Sequence, residues 1–177
     1  LPMHNKRKDE YLYITNFIHL DDDQLLCSSN NIKGYAVHYL QDKKTGMTTL
    51  VDSISNERYV SEYIFAEKDG VTYSTSPNLT PFVHTSEGIV YADHSNDTLY
   101  RMTDGMTPSA FIVRTPRVKE TKPNKILRFD NETEDWMFLS SIEMAYDFSK
   151  NEGMRQTNYG IEKASGNIFE LTFIHPD

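Results

Sequence analysis

Residues Asp93 to Arg114 read DHSNDTLYRMTDGMTPSAFIVR, and this stretch decides how the rest of the 177-residue chain is interpreted. It contains a polar turn, a strand in which apolar and polar residues alternate, a turn that closes on Gly105, and a second apolar strand. Alternation with a period of two residues is typical of a half-buried β-strand. The stretch therefore predicts a pair of antiparallel strands joined by a short turn.

The same order of features occurs twice more, in Gly34 to Ile54 and in Gln156 to Phe173. The three turns close on Gly46, Gly105 and Gly166, which are 59 and 61 residues apart. Even spacing of similar segments is typical of repeat architectures, and repeated hairpins are typical of propeller blades. We therefore predict an all-β chain of about three four-stranded antiparallel β-propeller blades, which is a partial or half propeller.

The blades are expected within one segment, 1–177, at approximately 11–55, 80–115 and 125–174, with residues 1–10 as a flexible polar tail. Between the first and second predicted blades, the run SNERYVSEYIFAEKDG fits either a short helix or an extended segment. The β-rich surroundings favour a strand or an irregular crossover. Residues 115–124 are predicted to connect two blades. The long loop Glu143 to Arg155 has a length that is often associated with function or mobility.

The composition favours strands and argues against nucleic acid as a partner. The chain has 11 Tyr and 9 Phe against one Trp, and aromatic residues suit pleated surfaces. The net charge is −8 and no basic stripe is present, whereas nucleic-acid binding needs clustered Lys and Arg; the short run Lys6 to Lys8 is interpreted as a solvated tail. No run of about 18 apolar residues predicts a spanning helix. The single cysteine, Cys27, is predicted to be a buried structural thiol.

The element SNDTLYRM, Ser95 to Met102, resembles the repeated element of six-bladed β-propeller proteins of unknown function that are common in Bacteroidetes, often as lipoproteins. The segment TNYGIEKASGNIFEL, after a strand with Trp136 and Phe138, is similar to the last blade of that family. The resemblance covers most of residues 10–174 and implies the C-terminal half of such a propeller. It implies export to the periplasm or the cell surface, and it carries no catalytic residues; a signal peptide is not present in this sequence.

Candidate site residues are few. His84 and His94 flank one predicted hairpin, so they are candidates for a shared ligand-binding site, and Tyr100 and Tyr146 are candidates for a glycan- or peptide-binding platform. No zinc spacing, EF-hand loop, GxSxG motif or phosphate-binding loop occurs, so we expect no catalytic residue, metal or cofactor. The aspartates Asp21 to Asp23 with Asp42 or Asp130 are a minor calcium hypothesis, and the cluster Glu132, Glu134 and Asp135 is a minor hydrolase hypothesis.

The leading hypothesis is a non-enzymatic propeller segment that binds a ligand or a protein partner, with the rest of the propeller or a second copy packed on its open faces. The alternative is a hydrolase or lyase acting on glycans, with acids and histidines from successive blades at the central channel. The strand register predicts which side chains are inside and which are exposed at turns. The residues predicted to be buried are Leu99, Ile89, Val37, Ile168 and Leu171, and those predicted to be exposed are Asp104, Lys43 and Lys163.

Overall fold

A computed structural model describes residues 3–4, 11–12, 14–30, 36–54, 57–77, 79–103 and 107–172. Within these ranges the chain is all-β, with one 3₁₀ turn at Val118–Glu120 and no α-helix. No helix of the described part is long and apolar enough to cross a membrane. The predicted all-β class is confirmed, and it follows from the period-two alternation of the sequence.

Three four-stranded antiparallel sheets account for most of the strands, and in each the strands pair in chain order. Sheet 1 consists of β3 (Asn16–His19), β4 (Gln24–Asn30), β5 (Ala36–Asp42) and β6 (Thr48–Ile54). Sheet 2 consists of β9 (Phe82–Thr85), β10 (Gly88–Tyr91), β11 (Thr98–Met102) and β12 (Ser109–Val113). Sheet 3 consists of β13 (Lys125–Glu132), β14 (Trp136–Glu143), β17 (Gln156–Glu162) and β18 (Ile168–Leu171).

Three two-stranded ladders complete the described structure. They pair β1 (Met3–His4) with β2 (Tyr11–Leu12), β7 (Ile64–Lys68) with β8 (Val71–Thr75), and β15 (Tyr146–Asp147) with β16 (Glu152–Gly153). The strand alternative for residues 55–80 is therefore confirmed over β7 and β8, and the helix alternative is wrong. Most of the tail that we predicted to be flexible lies outside the described residues.

The sheets pack face to face in chain order. Leu26 and Leu40 of sheet 1 lie in one buried cluster with Phe82, Tyr91 and Met102 of sheet 2. On the opposite face of sheet 2, a second cluster joins it to sheet 3, and its buried members are Val90, Leu99, Phe129 and Leu139. Sheet 2 is thus covered on both faces, as expected for a strand pattern with apolar residues on each side.

The repeat is visible in the turns between the third and fourth strands of sheets 1 and 3. Gly46 donates its backbone N–H to the carbonyl of Asp42 at 2.9 Å, and Gly166 donates to the carbonyl of Glu162 at 2.8 Å. The two glycines have φ angles of 70° and 72°, a left-handed conformation in which a Cβ atom is unfavourable. The corresponding residue of sheet 2, Gly105, lies outside the described residues.

The burial predictions are partly confirmed. Leu99, Ile89 and Val37 are buried, and Leu171 is half-buried. Ile168 was predicted to be buried but is 65% exposed, because it lies in the edge strand β18 directly after a turn.

The prediction that turn lysines are exposed was wrong. Lys43 is half-buried and donates its ammonium group to the carbonyl of Asp21, and the Lys163 side chain is only 20% exposed. In both cases a neighbouring turn supplies acceptors that the local sequence does not reveal. The third residue of this prediction, Asp104, lies outside the described residues.

The structure confirms several four-stranded antiparallel sheets, and no sheet of the described part closes on itself. The arrangement of these sheets as propeller blades stays a prediction.

Candidate functional site

The turn Asp93 to Asp97 begins the stretch quoted first. It is hydrogen-bonded to two segments that lie far away in the chain, at residues 58–60 and at Val118. The backbone N–H of Val60 donates to Ser95 Oγ at 2.8 Å, and Arg58 Nη2 donates to Asn96 Oδ1 at 3.2 Å. The Asp97 carboxylate accepts a hydrogen bond of 2.7 Å from the backbone N–H of Val118. A short polar turn therefore positions both connections that flank sheet 2.

A narrow cleft with about 40 Å³ of space lies beside this turn. All three sheets contribute to it: Asn16 and Ser28 from sheet 1, Val83 and Val90 from sheet 2, and residues 127–129 from sheet 3. The remaining walls come from connecting segments and include Glu62, Thr80, Asp93 and His94. The cleft is thus a place where side chains from the three sheets converge, next to the first strand of each sheet.

His94 lies in this cleft, but its ring is held by neighbouring groups. Nε2 is 2.6 Å from the carbonyl oxygen of Val60, and because a carbonyl only accepts, Nε2 carries the hydrogen. Nδ1 is 3.7 Å from Asp93 Oδ1, and the Tyr59 ring meets the imidazole edge-on at 5.8 Å. Asp93 Oδ1 in turn accepts the backbone N–H of Ser95 at 2.8 Å. These contacts fix the imidazole in one orientation.

The structure does not bring His84 and His94 together, although the sequence suggested that they could share a ligand-binding site. His84 is exposed and pairs with Ile89 near the β9–β10 turn, whereas His94 follows the far end of β10. The ladder pairs Phe82 with Tyr91, so the two histidines lie at opposite ends of the hairpin. The strand direction therefore places the two histidines apart.

The two candidate tyrosines also lie apart. Tyr100 is half-buried and stacks on Tyr91, with ring centroids 5.4 Å apart, so it belongs to the packing between sheets 1 and 2. Tyr146 lies in the small β15–β16 hairpin, where its hydroxyl donates to Asn151 Oδ1 at 2.5 Å and its ring meets Phe148. Neither tyrosine lines the cleft.

Three of the acidic side chains of the calcium hypothesis are engaged by neighbouring groups of their own turn or strand. Asp21 Oδ1 accepts two backbone hydrogen bonds of 2.7 Å, and Asp42 Oδ1 accepts from the backbone and hydroxyl of Thr45. Asp130 pairs with Arg128 at 2.6 Å. Hydrogen bonds from Thr45 lower the pKa of Asp42. Within the described ranges, no three His, Cys, Asp or Glu side chains are placed to hold a metal ion.

Glu132 belongs to a group of charges between sheets 2 and 3, which we call the charge cluster: the buried Arg101 and Glu132, the half-buried Lys163 and the exposed Glu87. Arg101 Nη2 is 2.7 Å from Glu132 Oε2, and Lys163 Nζ is 3.0 Å from the same oxygen. Arg101 also pairs with Glu87 and lies over the Phe111 ring at 3.7 Å.

The surroundings of the Glu132 carboxyl favour its ionised form, as expected for a group that holds the charge cluster together. Burial opposes ionisation of this carboxyl, yet hydrogen bonds from Thr85, Lys163 and Arg101 lower its pKa. Glu134 and Asp135, the other acids of the hydrolase hypothesis, are exposed.

Cys27 is buried, and burial raises the pKa of its thiol to about 11, which agrees with a structural thiol.

Sequence reasoning missed Glu62, Arg128 and the sheet 1 residues of the cleft, since these come from strands and loops far apart in the chain. For the charge cluster a signal was present in the sequence, because Arg101 lies two residues after Leu99 in β11 and therefore on the same, buried face of the strand. A charged residue at such a position predicts a buried partner.

The fold and the cleft define a class: an all-β protein of face-to-face four-stranded antiparallel sheets with a cleft between them. No family model, no curated protein and no solved structure matches the chain. The resemblance to the Bacteroidetes propeller family therefore stays an expectation from the sequence.

Proposed function

We propose that this chain is a segment of a β-propeller and that it serves as a non-enzymatic binding module of an exported bacterial protein. Three four-stranded antiparallel sheets that pack in chain order support this proposal, because propeller blades have this strand order. The SNDTLYRM element also supports it, through its likeness to the propeller family. The rest of the propeller, or a second copy, is the expected packing partner.

The cleft is the observation that carries the proposal. Asn16 opens β3, Val83 lies in β9, and residues 127–129 lie in β13, so the first strand of every sheet borders the same space. In a propeller the blades surround a central channel. A ligand bound at this position would contact three blades at once.

A glycan or a peptide fits the chemistry of the lining. Val83, Val90 and Phe129 provide apolar surface, while Asn16, Glu62 and Arg128 provide polar groups at the margin. Small-molecule sites usually combine an apolar lining with a few polar groups that fix the orientation of the ligand. Both signs of charge are present, which favours an uncharged or zwitterionic ligand over a strongly charged one.

Binding is tested with the 177-residue chain, a panel of glycans and a panel of peptides, using thermal shift followed by calorimetry. Asn16→Trp and Thr80→Trp place bulky side chains at the mouth from exposed positions, so they are expected to weaken binding at least tenfold while the protein stays folded. Lys68→Trp, on the exposed β7–β8 hairpin, is the matched control. Binding that survives both mouth variants, or no binding in either panel, contradicts the proposal.

A glycan-active hydrolase or lyase is the second candidate, because the cleft brings Glu62, Asp93 and His94 together. It ranks second since the Nε2 hydrogen of His94 is directed at the Val60 carbonyl and Asp93 is hydrogen-bonded to the backbone. The same glycan panel separates the two candidates. Turnover that is lost in both Glu62→Gln and His94→Gln would establish the enzyme.

A periplasmic or cell-surface location is part of the proposal and rests on the family likeness alone. Fractionation of the source cells, with detection of the native protein by antibody, tests it. Recovery in the cytosolic fraction contradicts this location.

A further inference from the structure

His38 lies in the centre of β5 and is completely buried between sheets 1 and 2. Its ring faces two aromatic rings of sheet 2: the centroid of Tyr91 is 5.2 Å away and that of Phe82 is 6.1 Å away. The surrounding cluster joins Leu26 and Leu40 to sheet 2. The imidazole is therefore an integral part of the contact between the two sheets.

The polar atoms of this imidazole are buried, and their hydrogen-bonding capacity is not used by the described residues. Neither ring nitrogen of His38 has a partner within the part of the chain that the structure describes, and the same is true there of the Tyr91 hydroxyl. A neutral imidazole has one donor and one acceptor, whereas the protonated ring has two donors and a full charge. Protonation in this position would therefore place an unsolvated charge among aromatic rings, which is strongly unfavourable.

The ionisable groups near His38 come from both sheets. Asp52 pairs directly opposite it in sheet 1, and Asp93 approaches from the end of β10. Tyr91 faces the ring, with Tyr100 stacked behind it. The two carboxylates favour the protonated ring, but burial has the larger effect and lowers the pKa of His38. Burial and Asp52 raise the pKa of Tyr91, so its hydroxyl is neutral.

We propose that His38 is a pH-sensitive latch: while its imidazole is neutral it holds sheet 1 against sheet 2, and mild acid releases the two sheets. The contact between sheets 2 and 3 does not share this property, because the charge cluster that supports it consists of ion pairs. The latch does not depend on the proposed function. Because sheet 1 supplies Asn16 and Ser28, release would also open one wall of the cleft.

The direction of the effect follows from proton linkage. The folded-state pKa of His38 lies below the unfolded value of about 6.5, so the open state binds more protons in mild acid. The closed contact therefore has its full stability above about pH 6.5 and loses it as the pH falls below that value. Between pH 7.5 and pH 5.0 the opening equilibrium should therefore increase, and the linkage of one proton to an unfolded value of about 6.5 limits this increase to about 30-fold.

Backbone hydrogen exchange of the 177-residue chain measures this opening, with rates corrected for the intrinsic effect of pH. We expect the β4 and β5 amides to exchange faster at pH 5.0 than at pH 7.5, by up to this limit of about 30-fold, and the β13 and β14 amides to change much less. In His38→Phe, which keeps a flat ring against Phe82 and Tyr91, the increase should disappear. His19→Gln changes an exposed histidine of the same sheet and should behave like the unaltered protein.

Two results would overturn the proposal: an undiminished increase in His38→Phe, or an equal increase in sheets 1 and 3 of the unaltered chain. If His38→Phe does not fold, NMR of the unaltered chain replaces it. The ring signal of His38 should then stay that of a neutral imidazole wherever sheet 1 remains protected from exchange. A ring that gains its proton near pH 6.5 while sheet 1 stays protected would overturn the latch.

Discussion

Arg101 is the single residue whose replacement should do most damage to the contact between sheets 2 and 3. Its Nη2 atom is 2.7 Å from Glu132, whose side chain is fully buried. Arg101→Met leaves that carboxylate short of a donor, so the free energy of unfolding should fall by about 3–5 kcal/mol. Lys163→Met should cost about 1–2 kcal/mol, because Arg101 still pairs with Glu132. Urea denaturation at pH 7 measures both changes.

The exposed pair Lys150 and Asp147 provides the control for this prediction. The distance from Lys150 Nζ to Asp147 Oδ2 is 3.2 Å, but both side chains are exposed, and such pairs contribute little. Lys150→Met should therefore change the free energy of unfolding by less than about 0.5 kcal/mol. Equal effects at Arg101, Lys163 and Lys150 would show that the charge cluster does not stabilise the sheet contact.

Lys163 also shows where sequence reasoning stops at the level of a residue. A lysine in a turn is usually solvated, and nothing within the EKASGN segment indicates otherwise. Its partners are Glu87, in the β9–β10 turn, and Glu132, at the end of β13, which lie 76 and 31 residues earlier in the chain. By contrast, the burial of Leu99 and Ile89 was predicted correctly, because local alternation determines the side of the strand.

At the scale of elements, the turns Asp42–Met47 and Glu162–Asn167 should respond alike to substitution. Both close with a left-handed glycine, so Gly46→Ala and Gly166→Ala should each lower the free energy of unfolding by about 1–2 kcal/mol. Neither glycine has a crowded environment, so backbone conformation alone sets the cost. Chemical denaturation of the two variants in parallel measures it.

Lys44→Ala, at an exposed position of the first of these turns, is the control and should change stability by less than about 0.5 kcal/mol. If Gly46→Ala lowers the free energy of unfolding and Gly166→Ala does not, the two turns are not equivalent. The structural repeat would then be limited to the strands.

The strands of the three sheets were largely predictable, and the inserted hairpins were not. The alternating strand predicted within Asp93 to Arg114 is observed at Thr98–Met102, since an alternating run lies there between polar turns. The run YVSEYIF fits a helical face and a strand equally well, so periodicity did not decide it. The loop from Glu143 to Arg155 contains the β15–β16 hairpin, whose strands of two residues are too short to produce a pattern.

For the whole molecule, the sequence predicted the three four-stranded sheets of the described part but not which of their faces are covered. We expected the outer faces of the first and third repeats to be open. On the outer face of sheet 1, however, Cys27, Val37 and Tyr39 are buried in a cluster that includes Ile14. Ile14, which precedes the first strand of sheet 1, contributes to that coverage, and the alternating pattern of the strands carries no information about it.

Self-association should therefore use sheet 3 rather than sheet 1. On the outer face of sheet 3, Phe138 and Phe169 lie on either side of Gly160, and the Trp136 ring meets Phe169 at 5.7 Å. Phe169 is 46% exposed, so the face presents aromatic surface of the kind that mediates contacts between proteins. We predict that the 177-residue chain associates at micromolar concentrations, as measured by light scattering after size exclusion.

Phe169→Lys should shift the chain towards the 20.5 kDa monomer, because a charge on this face opposes its burial. Phe17→Lys is the matched control, since Phe17 is similarly exposed but belongs to sheet 1, and it should leave association unchanged. If Phe17→Lys alone gives monomers, the contact lies on sheet 1 instead. If the unaltered chain is monomeric at all micromolar concentrations, the aromatic face of sheet 3 remains exposed to water without causing association. That result would argue against three propeller blades that leave an outer face uncovered.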